Sequence, residues 1–204
     1  SRMTIEDATT ADVEAAVKVL EPAFANDALV AYFFRTHPEG VGPASRRFFS
    51  LLLRLRIGLG MPALVGVEDG RMLGVAMGYD SERPAWPEPF ASEWLRLEEE
   101  TPGLAGRLAA YETLSRSHEP PAPHYYLGVL GVHPSTQGQG AGKALLEAFC
   151  RRSATDPLSA GVYLDTGNPS SLAFYLRNGF ALRGEDALEG ASVWCVFRSD
   201  AGGS

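Results

Sequence analysis

Val132-His133-Pro134-Ser135-Thr136-Gln137-Gly138-Gln139-Gly140-Ala141-Gly142-Lys143 is the most informative stretch of this 204-residue chain. It leaves an apolar, strand-like run, turns through Pro134 and enters a helical pattern that carries Ala141, Ala144, Leu145, Ala148 and Phe149 on one side up to Arg152. Closely spaced glycines let backbone approach a ligand, and the first amides of a helix have no intrahelical partner. A helix N-terminus also carries roughly half a positive charge, so the segment reads as an anion cradle, most naturally for a phosphate. A Walker-type loop needs glycine and Ser/Thr where Gln137 and Ala144 stand, and the dinucleotide fingerprint counted from Gly138 puts Lys143 where its third glycine belongs. A glycine loop that merely turns the chain is the plain alternative.

Working outward, the second half reads as strand–helix–strand–helix–strand–strand: Tyr125 to Val132, Ala141 to Arg152, Gly161 to Asp165, Ser170 to Arg177, Gly179 to Arg183 and Ala191 to Arg198. Upstream, helices are expected from Val13 to Leu20, from Pro22 to Phe34 and from Ala44 to Leu59. In the last, Phe48, Phe49, Leu52, Leu53 and Ile57 form a stripe among Arg46, Arg47, Arg54 and Arg56. Asp69-Gly70 between the apolar runs Ala63 to Val67 and Met72 to Tyr79 is a strong hairpin signal. A proline-rich loop, Asp80 to Phe90, leads into a polar helical stretch, Ala91 to Ser117, broken at Pro102-Gly103. The order implies a mixed α/β sheet (α+β) with a βαβ unit in one domain over 3–204: helices and hairpin (3–80), a helical and loop insert (81–123), and the βαβ half (124–200).

The formal net charge is −7, from 18 Lys+Arg against 25 Asp+Glu, which argues against a nucleic-acid partner and weakly favours cationic small molecules. Cys150 and Cys195 sit in apolar patterns and are expected to be buried, reduced thiols; no His/Cys cluster has metal-ligand spacing, so no metal is expected. No apolar stretch approaches the ~20 residues of a membrane span, and none reads as a signal peptide; a cytoplasmic protein starting at Met3, with no membrane partner, is expected.

Read as Gln-x-x-Gly-x-Gly (Gln137, Gly140, Gly142) after Gly-Val-x-Pro (Gly131, Val132, Pro134), the loop resembles the coenzyme-A pyrophosphate loop of the GNAT superfamily of N-acetyltransferases. Asn168-Pro169-Ser170-Ser171-Leu172-Ala173-Phe174-Tyr175, ahead of Gly179-Phe180, is similar to that family's second signature. The resemblance covers about Leu127 to Phe180 firmly and the start of the chain loosely, while Asp80 to Pro123 is unmatched. It implies a single domain with a mostly antiparallel twisted sheet whose last part binds acetyl-CoA, and transfer of the acetyl group to a primary amine of a small molecule by direct attack. Acetylation of a peptide or protein amine, and a catalytically silent CoA-binding regulatory module, stay open.

On that reading the amides of Gln139, Gly140, Ala141, Gly142 and Lys143, with Gln137 and Gly138 beside them, hold the pyrophosphate, and Lys143 either adds charge or is simply solvated. Backbone groups of Leu130, Gly131 and Val132 take the pantetheine arm as an added strand and polarise the acetyl carbonyl. Asn168 is assigned to the arm, or to a turn or N-cap, with Ser171 on the same face. Tyr175 is the general acid for the leaving thiolate, against a packing role beside Phe174 and Phe180. Similar enzymes carry an acidic base on the strand before the loop, where this chain has none. Strand alternation places His124, Tyr126, Gly128 and Leu130 on one face, making His124 one candidate base; Glu82 is another, with a water relay as the default. The acidic insert could close over an amine, with Trp86, Phe90 and Trp94 as pocket wall or core. The strand near the C-terminus could pair with a second copy to form a homodimer.

Overall fold

Seven strands form one sheet in the computed structural model, which describes residues 2–201; Ser1 and the last glycines and serine, 202–204, lie outside the described residues. The strands lie side by side in the order β1 (Thr4–Asp7), β2 (Ala63–Glu68), β3 (Arg71–Tyr79), β4 (Tyr125–Val132), β5 (Gly161–Thr166), β7 (Ala191–Ser199) and β6 (Ala181–Leu188). Every neighbouring pair is antiparallel except β4 and β5. The helices are α1 (Val13–Ala23), α2 (Ala28–Phe34), α3 (Val41–Leu59), α4 (Phe90–Glu100), α5 (Leu104–Ser117), α6 (Ala141–Thr155) and α7 (Pro169–Arg177). This is the mixed, mostly antiparallel sheet expected, with β4–α6–β5 as its βαβ unit.

Two apolar layers cover the sheet. On one face Phe34, Phe49 and Leu53 from α2 and α3 pack with Val75, Met77, Val129 and Tyr163. On the other, Leu145, Leu146 and Phe149 of α6 pack with Leu127, Val162, Leu164 and Tyr175. Cys195 belongs to the first layer and Cys150 to the second; both are free and buried, and burial pushes the Cys195 thiol up to about 11. The hairpin turns through Asp69 (φ 52°) and Gly70 (φ 73°), the left-handed pair that matches strand twist.

Two expectations need correction. Pro22 does not start a second helix: α1 runs through it to Ala23, and the next helix starts at Ala28 because Asp27 caps it, its Oδ1 accepting from the Val30 amide at 2.9 Å. Pro22 costs α1 the bond its own N–H would have made to the Lys18 carbonyl, and the helix ends one residue later. The strand β1 has no counterpart in the sequence reading. Four residues at an exposed edge carry too little apolar pattern to announce themselves, and they are held by pairing with β2, Thr4 opposite Val67.

A third correction concerns β4. Met77 pairs with Val129, but Gly78 pairs with Leu127, so Gly128 is an extra residue, a β-bulge. Alternation flips across it. Tyr126 and Val129 face the α2/α3 layer, whereas Leu127 and Leu130 face the α6 layer. His124, Tyr126, Gly128 and Leu130 therefore do not share a face. Gly78 makes the bulge possible: a Cβ there would lie 1.8 Å from the Tyr126 carbonyl oxygen and 3.1 Å from the Gly128 nitrogen. Gly78→Ala is expected to destabilise the fold by about 3 kcal/mol, as severe overpacking does. In thermal unfolding that is a fall in Tm of roughly 6–12 °C; an unchanged Tm would contradict this account of the bulge.

Candidate active site

β4 and β5 are paired only at their first residues, Tyr125 with Val162 and Tyr126 with Tyr163. Beyond that point β4 keeps β3 as its one neighbour, and a gap opens in the sheet. The His133 amide donates to the Leu73 carbonyl at 2.8 Å, so by antiparallel alternation Gly131 and Val129 also bond toward β3. The N–H and C=O of Leu130 and Val132 consequently point into the gap. Gly131 is needed for the opposite reason: a Cβ there would meet Leu20 and Phe24 at 2.7 and 2.8 Å.

The glycine loop sits at the open end of the gap. Gly138 (φ 84°) and Gly140 (φ 86°) hold left-handed conformations, the latter as the N-cap of α6. Among the described residues the amides of Gly138, Gly140, Ala141, Gly142 and Lys143 donate to no protein group, whereas the Gln139 amide bonds the Thr136 carbonyl at 3.4 Å. Five free amides at and just before a helix N-terminus suit an anion. They border an outer groove of about 460 Å³, to which Lys143 and Arg177 contribute exposed cations.

Behind β4 lies an inner cavity of about 400 Å³, between α2, α3 and the insert. Leu130, Ser171 and Tyr175 line both spaces, so the two meet there. Tyr175 is buried, its hydroxyl has no hydrogen-bond partner among the described residues, and burial raises its pKa above the usual phenol value. A larger surface groove of about 780 Å³, bordered by Lys18, Arg46 and Arg96, touches none of the strands at the gap.

The inner cavity has aromatic walls and buried charges. Trp86 and Trp94, 5.6 Å apart, come from the insert, and the Trp86 indole N–H donates to the Tyr79 hydroxyl at 3.0 Å. Tyr111 donates to Asp165 Oδ1 at 2.6 Å, while Tyr126 and Ser115 donate to Oδ2 at 2.9 and 3.0 Å. Burial raises the pKa of Asp165 against those bonds, and raises Asp27 likewise; both carboxylates line the cavity. Arg56 of α3 also lines it, stacked on the Tyr79 ring at 4.3 Å.

With this geometry in place, comparison with known proteins is decisive: a family model described as "Acetyltransferase (GNAT) family" matches residues 26–180. The chain belongs to the GNAT acetyltransferase family. Among solved structures it is similar to an acetyltransferase of Corynebacterium glutamicum described as histone acetyltransferase HPA2 and related acetyltransferase (24% identity, 97% and 96% of the two chains covered, TM-score 0.73). It is also similar to a Drosophila melanogaster polyamine N-acetyltransferase that forms N-acetylagmatine (21% identity, 97% and 100% covered, TM-score 0.69). A third is a PaiA N-acetyltransferase of Thermoplasma acidophilum in complex with coenzyme A (14% identity, 98% and 99% covered, TM-score 0.62). At these identities the likeness is one of fold.

Within this GNAT domain most of the expected site residues come together, and a few do not. Leu130, Val132, Ser171, Tyr175 and the loop residues 137–143 other than Gln139 line the outer groove. Asn168 caps α7, its Oδ1 accepting from the Ser170 amide at 2.9 Å and hydroxyl at 2.8 Å, and it lines neither space. His124 is buried at the start of β4 with Nδ1 at 2.7 Å from the Ala122 carbonyl and Nε2 at 2.8 Å from Glu119; Glu82 is exposed in the loop. Neither borders the two spaces. The residues that sequence reasoning missed are Asp27, Tyr111, Tyr126, Asp165, Arg177 and Arg56. Arg56 carried a signal: it stands two turns after Phe49 and one turn after Leu52/Leu53, on the buried stripe of α3.

Proposed function

We propose that this protein transfers the acetyl group of acetyl-CoA to the primary amine of a small molecule, by direct attack of the amine on the thioester. The inner cavity carries the reading. It has the volume of a small-molecule site, it sits within the domain behind β4, and the insert helices wall it on one side. Neighbours that act on a polyamine and on agmatine support it as fold relatives.

The residues fit the coenzyme. The free loop amides, with Lys143 and Arg177, suit its pyrophosphate, and the gap beside Leu130 and Val132 suits an extended amide-bearing arm. Acetyl-CoA supplies the activated thioester; the rest of the chemistry falls to the chain. The Leu130 N–H, aimed into the gap, is the donor for the oxygen on which negative charge develops, a contribution of roughly 3 kcal/mol. Tyr175, like any phenol, holds its proton at neutral pH, and burial raises its pKa further; the same burial makes a thiolate beside it a stronger base. Its phenol gives that proton to the leaving sulfur. Asp27 and Asp165 set a negative field in the cavity that receives the acceptor's ammonium before water carries its proton to solvent and frees the amine for attack.

Thiol release measured with acetyl-CoA and a panel of small primary amines tests the assignment; a blank panel despite coenzyme binding would overturn it. Tyr175→Phe is expected to lower kcat by about 10²-fold, the range of general acid catalysis, with coenzyme binding retained; full activity would remove Tyr175 from the mechanism. Asp27→Asn keeps a good helix cap, so Tm should move by no more than about 2 °C, while kcat/KM for the amine falls about tenfold or more through loss of the charge. An unchanged kcat/KM would contradict the role of Asp27.

A further inference from the structure

Arg56 is the only arginine or lysine that is fully buried among the described residues, at 4% exposure. It takes part in no ion pair there, and none of its three guanidinium nitrogens has a hydrogen-bond partner; Nε and Nη1 are wholly enclosed. Stacking on Tyr79 occupies the face of the guanidinium and leaves its in-plane donors unused. The carboxylates of the cavity do not reach it. Asp165 is held by three hydroxyls, Asp27 by the start of α2, and Glu112 pairs with Arg116. A second cation nearby, Arg83, has partners of its own: the carbonyl oxygens of Asp80, Glu82 and His124. Arg56 is thus a buried charge with no ion-pair partner in contact, in a cavity that Asp27, Asp165 and Glu112 also line, an arrangement that costs stability unless something answers it.

Its position says what answers it. A Cβ at Gly128 would lie 3.5 Å from Arg56 Nη2, so the guanidinium stands over the bulge, two residues along β4 from Leu130. Two strand residues span about 7 Å. An anion on Arg56 and an amine at Leu130 would be close enough for one small molecule to carry both.

We infer that the acceptor bears a carboxylate which Arg56 receives at Nη2, the amine of the same molecule being presented to the gap at Leu130 and its apolar body lying against Trp86 and Trp94. This rests on the inner cavity being the acceptor site, and it narrows the substrate class from amines in general to amino acids or similar amino carboxylates. It also departs from the weak preference for cationic small molecules drawn from net charge, since such an acceptor carries both signs.

Binding and turnover separate the two levels. Quenching of the tryptophan fluorescence is titrated with 3-phenylpropionate and with its uncharged amide, in wild type and in Arg56→Met. Wild type is expected to bind the carboxylate about tenfold or more tightly than the amide, and Arg56→Met to lose that preference. Arg56→Met should fold, since a buried unpaired charge gives way to an apolar chain of similar length; circular dichroism and coenzyme binding verify this, and Arg56→Lys, which keeps the charge without the fork, should retain part of the preference. Equal binding of the two probes by wild type, no binding of the carboxylate, or a preference that survives in Arg56→Met overturns the inference. In turnover, L-phenylalanine should be acetylated with a kcat/KM about tenfold or more above that of phenethylamine, its match without the carboxylate. Acetylation of both without preference overturns the inference and leaves the transferase reading standing. Arg56-dependent carboxylate binding with no amine acetylated would sustain the anion site and overturn the transferase reading.

Discussion

The parting of β4 from β5 is the constraint on which the rest of the site depends. A parallel pair that continued to Val132 would consume the backbone groups of Leu130 and Val132 in a ladder and close the sheet. Here the pairing stops after Tyr126, and the side of β4 left bare becomes the floor where outer groove and inner cavity meet. The Gly128 bulge acts at the same place from the other edge. By inserting one residue it flips the alternation, so that Tyr126 looks toward the α2/α3 layer and Leu130 toward the α6 layer.

Electrostatics divides the two spaces. The outer groove is a positive end: free amides, the start of α6, Lys143 and Arg177. The inner cavity holds both signs, Asp27 and Asp165 against Arg56, enclosed by aromatic rings in a medium that strengthens any charge left unanswered. The carboxylates are met by amide and hydroxyl donors within the protein; the guanidinium is not. That asymmetry distinguishes a group waiting for a ligand from groups whose partners are built in.

Local patterns made much of this legible in the sequence. The glycine loop, the strand before it, the helix after it and Tyr175 follow one another closely, and their chemistry is carried by backbone and spacing. The hairpin at Asp69-Gly70 and the break at Pro102-Gly103 were readable for the same reason, since Gly70 (φ 73°) and Gly103 (φ 79°) hold left-handed conformations that other residues rarely adopt. What escaped was long-range. Strand β1 exists by pairing with residues some sixty positions away, and the bulge is visible only once β3 lies beside β4. The cavity walls gather Asp27, Arg56, Trp94, Tyr111 and Asp165 from elements remote in the chain. His124 looked suited to act as a base because simple alternation was extended across a bulged strand; in the fold it is engaged with Glu119.

The central claim is that the bare side of β4 receives the pantetheine arm as a strand-like partner. Amide hydrogen exchange resolved by residue, with and without coenzyme A, tests it most directly. Slowed exchange is predicted at Leu130 and Val132, whose N–H groups face the gap, with little change at Gly131, whose N–H already bonds toward β3. Unaltered exchange at Leu130 and Val132 in the presence of saturating coenzyme, or slowing confined to another edge of the sheet, would contradict it.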